Sequence, residues 1–177
     1  MKLLHENKPA ILFLLTFVGL YLVLNTVYGF YVNSFLPQPD SITLVVSKHV
    51  AWVLSWWDDS VTYALKAGYK NVILENSYRT VIEVFEGCNS VNVMIVFVSF
   101  MAAFRGRLKS TLIFSLGGLI IIYLMNLFRV SMLYAIEIYW PRYLYFFHKY
   151  LFTGGIYAVV FLLWYLWAKK VKHEAAG

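Results

Sequence analysis

Four long apolar runs dominate the chain, and the segments between them carry almost all of its charge. The first run covers residues 10–31, after the polar opening MKLLHENKP. About 22 apolar residues at 1.5 Å per residue reach about 33 Å, enough for a hydrocarbon core of about 30 Å. The run exceeds the apolar core of a signal peptide and no small-x-small cleavage pattern follows it, so it is expected to be a retained helix. The second run, about 88–104, stops at RGRLK; the third, about 111–136, is interrupted by Asn126 and Arg129; the fourth, about 151–168, ends at KKVKH. The pattern predicts an all-α integral membrane protein with about four transmembrane helices, forming one membrane-embedded domain over residues 1–177.

The outer-side segment, 32–87, breaks that pattern. Pro37 and Pro39 in FLPQPDS end the first helix. In SITLVVSKHVAWVLSWW, residues Ile42, Val46, Val50, Val53 and Trp57 recur at helical spacing and run into a tryptophan cluster, which predicts a helix lying along the membrane interface. Farther on, KNVILENSYRTVIEVFE holds two short β-prone pieces, Val72 to Leu74 and Thr80 to Phe85, around the turn-prone Glu75-Asn76-Ser77. These predict a small β-hairpin.

Composition agrees with the pattern: with 61% hydrophobic residues and a mean hydropathy of +0.67, an ordinary soluble domain is excluded. The net charge of +6 would suggest nucleic acid in a soluble protein, but its placement gives another reason for it. Lys2 and Lys8, Arg105, Arg107 and Lys109, and Lys169, Lys170 and Lys172 fall in three short segments that four spans place on one side. That is the positive-inside pattern, with both termini cytoplasmic and no nucleic-acid partner required. A single cysteine, Cys88, supplies neither a disulfide framework nor a thiolate metal cage, so no metal or cofactor is expected. The sequence has no Gly-x-Ser-x-Gly elbow and no His-Glu-x-x-His helix, which disfavours serine and zinc hydrolysis.

Topology then sets the depth of each polar residue. Cys88 falls at the outer end of the second span and His148 just before the fourth. Arg129 falls about seven residues before the outer end of the third, about 10 Å below the surface. Taken singly, Cys88 suits packing and His148 suits the aromatic belt around Tyr143, Tyr145, Phe146 and Phe147. A charge inside a span costs about 2.5–3.5 kcal/mol at the helix centre, which makes Arg129 a functional residue by default. Together the three form a set fit for acyl transfer: a thiolate nucleophile, a base that later gives up its proton, and a cation for thiolate or oxyanion. Asn126, one helical turn before Arg129, is expected to orient the guanidinium or to pack between helices. Asn89 and Asn92 flank the thiol as candidate oxyanion donors, and Glu83, Glu86 and Glu137 are candidate partners for His148. Two other readings use the same residues: a non-enzymatic assembly subunit with Arg129 pairing to a partner helix, and a transporter with Arg129 binding an anionic solute.

A cysteine opening a span (EGCNSVN), an Asn-x-x-Arg inside the next, and a histidine six residues before a glycine at the head of the last (HKYLFTGG) together resemble the exosortase and archaeosortase family. The small size and the long outer segment look most like the exosortase F subgroup. The resemblance implies a multi-pass cysteine protease and transpeptidase of the bacterial inner membrane. It would act on exported proteins carrying a carboxyl-terminal sorting signal made of a short motif, a transmembrane helix and a basic cluster. Cys88 would be the nucleophile, Arg129 the oxyanion or thiolate stabiliser and His148 the general acid/base. Ser90 departs from the glycine that many members carry two positions after the cysteine.

Overall fold

The computed structural model describes residues 7–104 and 106–176, so Lys2 and Arg105 lie outside the described residues. The chain forms α1 (Lys8–Asn33), α2 (Ser41–Leu54), β1 (Thr62–Leu65), β2 (Val72–Glu75), β3 (Thr80–Val84), α3 (Val91–Ala103), α4 (Leu108–Tyr139) and α5 (Thr153–Ala176). A 3-10 turn, Glu86–Cys88, precedes α3, and a π-helical segment, Phe147–Phe152, leads into α5.

Three helical stretches are long and apolar enough to cross a membrane: Lys8–Asn33, Leu108–Tyr139 and Pro141–His173. The expected second span is shorter than its hydrophobic run suggests. Helix α3 has 13 residues, about 20 Å against a core of about 30 Å. Ser90 explains the late start: its φ of 61° is left-handed, so the chain turns there and the helix begins only at Val91. The aromatic stretch before the fourth run is helical from Pro141 onward. Proline is accepted at a first helical position because its missing N–H has no intrahelical partner there.

Helix α3 lies in the middle of the bundle. Phe97 and Met101 are shielded from solvent, and the Phe97 ring fits because Gly118 of α4 has no side chain; a Cβ there would collide with the ring. Aromatic rings join α1, α3 and α5, with Phe13 edge-on to Phe100 and Phe100 stacked on Trp164 at 4.3 Å. At one end, Lys8, Phe104 and Val171 border a common cavity, and Gly106 abuts Trp167. The start of α1, the α3–α4 connection and the end of α5 therefore share that end, where Lys8, Arg107, Lys109, Lys169, Lys170 and Lys172 cluster in sequence.

Helix α2 and the sheet cover the other end. Asp40 caps α2, its Oδ1 accepting from the amides of Ile42 (3.0 Å) and Thr43 (2.9 Å). The buried face is Thr43, Val46, Ser47, Val50, Ala51 and Leu54. Val46 and Val50 of the expected stripe are inside, whereas Ile42 and Trp57 are exposed. The face is rotated because Thr43 and Ser47 are satisfied within it: Thr43 Oγ1 donates to Asp40 Oδ2 at 2.6 Å and Ser47 Oγ to the Thr43 carbonyl at 2.8 Å. Trp52, Trp56 and Trp57 remain exposed, as an interfacial belt requires.

The expected hairpin is present as β2–β3 and is extended by β1 into an antiparallel sheet of order β1-β2-β3. Val72, Ile73 and Leu74 in the central strand are fully buried. The β1–β2 turn passes through Gly68 at φ 73°, a conformation that favours glycine. The β2–β3 register shifts between Leu74 and Glu75. Strand β3 has a ladder partner on one side only and runs directly toward the turn that holds Cys88.

Candidate active site

Three elements supply the site. Cys88 comes from the turn after β3, Asn126 and Arg129 from the buried face of α4, and His148 from the π-helical segment. Such segments recur at functional sites, where the altered pitch re-aims a side chain. Thr153 Oγ1 bonds the His148 carbonyl at 3.0 Å, tying that segment to the first turn of α5.

Cys88 and His148 both line a cavity of ≈ 470 Å³ between β3, α4 and the residues before α5. Val81, Val130 and Leu133 make its apolar wall, and Glu83, Glu137 and Tyr145 bring polar groups to it. Arg129 is buried, and its Nη2 stands 3.4 Å from His148 Nε2. A guanidinium only donates, so Nε2 can take part in this contact only as the acceptor. Arg129 Nε is buried with no hydrogen-bond partner among the described residues.

Cys88 lies in the turn outside the helices. Burial pushes its thiol up, while a backbone hydrogen bond at Phe85 and the Arg129 charge pull it down without cancelling that rise. The resting group is a neutral thiol.

The two asparagines hold the thiol turn instead of taking the roles expected of them. Asn126 Nδ2 donates to the Cys88 carbonyl at 2.8 Å, pinning the turn to α4, and its Oδ1 has no partner, so it does not orient the guanidinium. Asn89 uses its amide nitrogen twice, donating to Tyr28 Oη at 2.7 Å and Thr43 Oγ1 at 2.9 Å, while its Oδ1 accepts from the Val91 amide at 3.0 Å. With both N–H groups engaged, Asn89 has no donor for an oxyanion. Asn92 is exposed. Half-buried Tyr28 and buried Thr43 and Asp40 thus form a polar support behind the thiol turn that no periodicity along the chain marks.

None of the three glutamates meets His148. Glu83 accepts from Tyr69 Oη (2.6 Å) and Asn71 Nδ2 (2.9 Å), which hold its carboxyl below the usual range. Glu86 pairs with Lys70 at 3.7 Å, and Glu137 with Arg79 at 3.7 Å. The described residues contain no group of three or more His, Cys, Asp or Glu able to hold a metal ion.

Among known proteins, the model of the transmembrane exosortase family matches residues 7–167. No curated protein and no solved structure matches the chain. Because the family match runs from the first helix into the last, taking in the sheet and the thiol turn on the way, the chain belongs to the transmembrane exosortase family.

Proposed function

We propose that this chain is a membrane-embedded cysteine protease and transpeptidase that removes carboxyl-terminal sorting signals from exported proteins, as an exosortase most like the F subgroup. The carrying observation is that Cys88 and His148 line one cavity while Arg129 reaches His148 from the buried face of α4. The chain sits in the bacterial inner membrane with both termini cytoplasmic, and the short α3 makes a fourth crossing. Its start in the thiol turn and its end beside Lys8 and Val171 support that crossing.

In the reaction, the Arg129 guanidinium turns from His148 Nε2 toward the scissile carbonyl, the freed Nε2 takes the Cys88 proton, and the sulfur attacks the carbonyl carbon of the scissile bond. A C–S bond forms as the carbonyl electrons move to oxygen, and the guanidinium of Arg129 stabilises that negative charge. The unpartnered Nε–H is the donor such an oxyanion needs. Collapse expels the amine, to which His148 returns the proton, leaving a thioester on Cys88. Water or an amine then attacks the thioester, and the thiol is regenerated. A resting neutral thiol fits this order, since proton transfer to His148 accompanies substrate binding and not folding.

The test is Cys88→Ala in the native cell. Polypeptides retaining their carboxyl-terminal tail accumulate while the variant's membrane level stays normal. Unchanged processing in Cys88→Ala cells rejects the assignment; loss of a co-purifying partner in Arg129→Gln, with processing intact, would favour an assembly subunit instead.

A further inference from the structure

We propose that the free edge of β3 is the substrate-docking edge: the extended segment of the exported protein just outside its membrane helix adds to the sheet as a fourth strand, which brings its scissile bond to Cys88. This deepens the function proposed above and rests on Cys88 being the nucleophile.

An edge strand presents unpaired amides and carbonyls that an extended chain can pair with. Here the pairing pattern identifies them. Antiparallel partners alternate between hydrogen-bonded and non-hydrogen-bonded pairs. The Asn76 amide donates to the Arg79 carbonyl at the hairpin head. Stepping along the register, Glu75–Thr80 is non-bonded, Leu74–Ile82 bonded and Ile73–Glu83 non-bonded. The Glu83 amide and carbonyl therefore face away from β2, and among the described residues nothing hydrogen-bonds them.

Three observations make a substrate peptide the occupant. The ≈ 470 Å³ cavity runs along β3, from Val81 to Phe85, so there is room beside the free edge. The same cavity ends at Cys88 and His148, so a strand laid on this edge meets the nucleophile with no further rearrangement. Its wall is two-sided, apolar at Val130 and Leu133 and polar at Glu83, which matches a strand whose successive side chains point to opposite faces. Main-chain pairing is tolerant of sequence, as suits an enzyme meeting many exported proteins, and the apolar wall selects alternate substrate side chains.

The experiment uses one tail-bearing polypeptide that wild-type cells process and Cys88→Ala cells retain. Single cysteines are walked through the residues immediately outside its membrane helix. Each is paired in native membranes with the full-length chain carrying Cys88→Ala plus either Ile82→Cys or Glu83→Cys, then oxidised. Strand addition predicts a disulfide at one substrate position with Ile82→Cys and at the position next to it with Glu83→Cys, since only directly opposed residues come within disulfide range. Helical spacing between the two, the same position for both variants, or no adduct with either overturns the proposal. Glu83 is exposed, so its variant reports even where Ile82→Cys perturbs the sheet. Processing of the same polypeptide is followed in parallel. If it depends on Cys88 and the one-residue offset is absent, strand addition alone falls; if it proceeds without Cys88, the nucleophile falls and strand addition with it.

Discussion

Replacing Asn126 by leucine separates the positioning of the thiol from the stability of the fold. Asn126 is fully buried, and its Nδ2 is 2.8 Å from the Cys88 carbonyl. Leucine keeps the volume and leaves that carbonyl without its donor. An orphaned buried acceptor costs about 1–3 kcal/mol. The substitution also removes Asn126 Oδ1, itself buried without a partner, so the two effects oppose and the net loss falls near the lower end, about 1 kcal/mol. The catalytic loss has no such offset. Once the turn is released from α4, a displacement of about 1 Å at the nucleophile slows attack about 100-fold, equivalent to about 2.7 kcal/mol of barrier.

Asn126→Leu is therefore expected to melt close to wild type in detergent while processing a retained substrate about 100-fold more slowly, with KM little changed. Thermal unfolding followed beside single-turnover cleavage checks both. Cleavage within about twofold of wild type would show that the turn holds its shape without this bond, and the positioning argument would be wrong. A large loss of stability with proportionate loss of activity would assign Asn126 to packing alone.

Two further outcomes follow from the thiol turn. Ser90→Gly relieves a left-handed residue that costs about 1–2 kcal/mol in any residue with a Cβ, so the variant should melt higher with its cleavage products unchanged; a lower midpoint would mean the Ser90 side chain contributes more than its strain. Iodoacetamide labelling of Cys88 should reach half its maximal rate above about pH 8.5–9, the midpoint of an ordinary thiol, because burial disfavours the thiolate. Arg129→Gln removes a charge that favours the thiolate and should move the profile higher still; a profile that flattens at or below the ordinary range, or an Arg129→Gln profile moved downward, would contradict this account of the site.

Much of this was legible in the sequence, for physical reasons that also mark where reading failed. Apolar runs announce membrane helices because lipid admits few alternatives, and α1 and α4 fall within a few residues of the expected limits. Cys88, Arg129 and His148, candidates from separate segments, come near one another: Cys88 and His148 line one cavity and Arg129 reaches His148. Hydrophobicity said nothing about φ, so Ser90 was invisible as the residue that shortens α3. The Asn89 contacts to Thr43 and Tyr28 join positions 46 and 61 residues apart, with no periodicity to betray them. Strand β1 was missed for a similar reason: TYAL has fewer β-branched residues than its neighbours and becomes a strand by pairing with β2.

Helix α4 also works as a ruler for the depth of the nucleophile. Asn126 is level with Cys88 because they are hydrogen-bonded. From Leu108 to Asn126, α4 rises about 27 Å, nearly the thickness of the hydrocarbon core. On the topology proposed above, with Leu108 at the inner boundary, the thiol turn falls at the outer boundary of the bilayer, and α3, with 13 residues, reaches it because the turn from Glu86 to Ser90 supplies the remaining height. By the same measure Arg129 stands about one turn beyond Asn126 along α4. The rest of α4, up to Tyr139, then stands outside the core, and this is the part that buries Val130, Tyr134 and Ile136, with Val130 and Tyr134 packed in one cluster with Val50, Leu74 and Val84 of α2 and the sheet. On that topology the outer segment covers an over-long helix, with the thiol beneath it at the level where the membrane helix of the proposed substrate would end. That arrangement explains why α2 and the sheet precede the cysteine in the chain: they complete the cavity around Cys88 on the side that the bilayer leaves open.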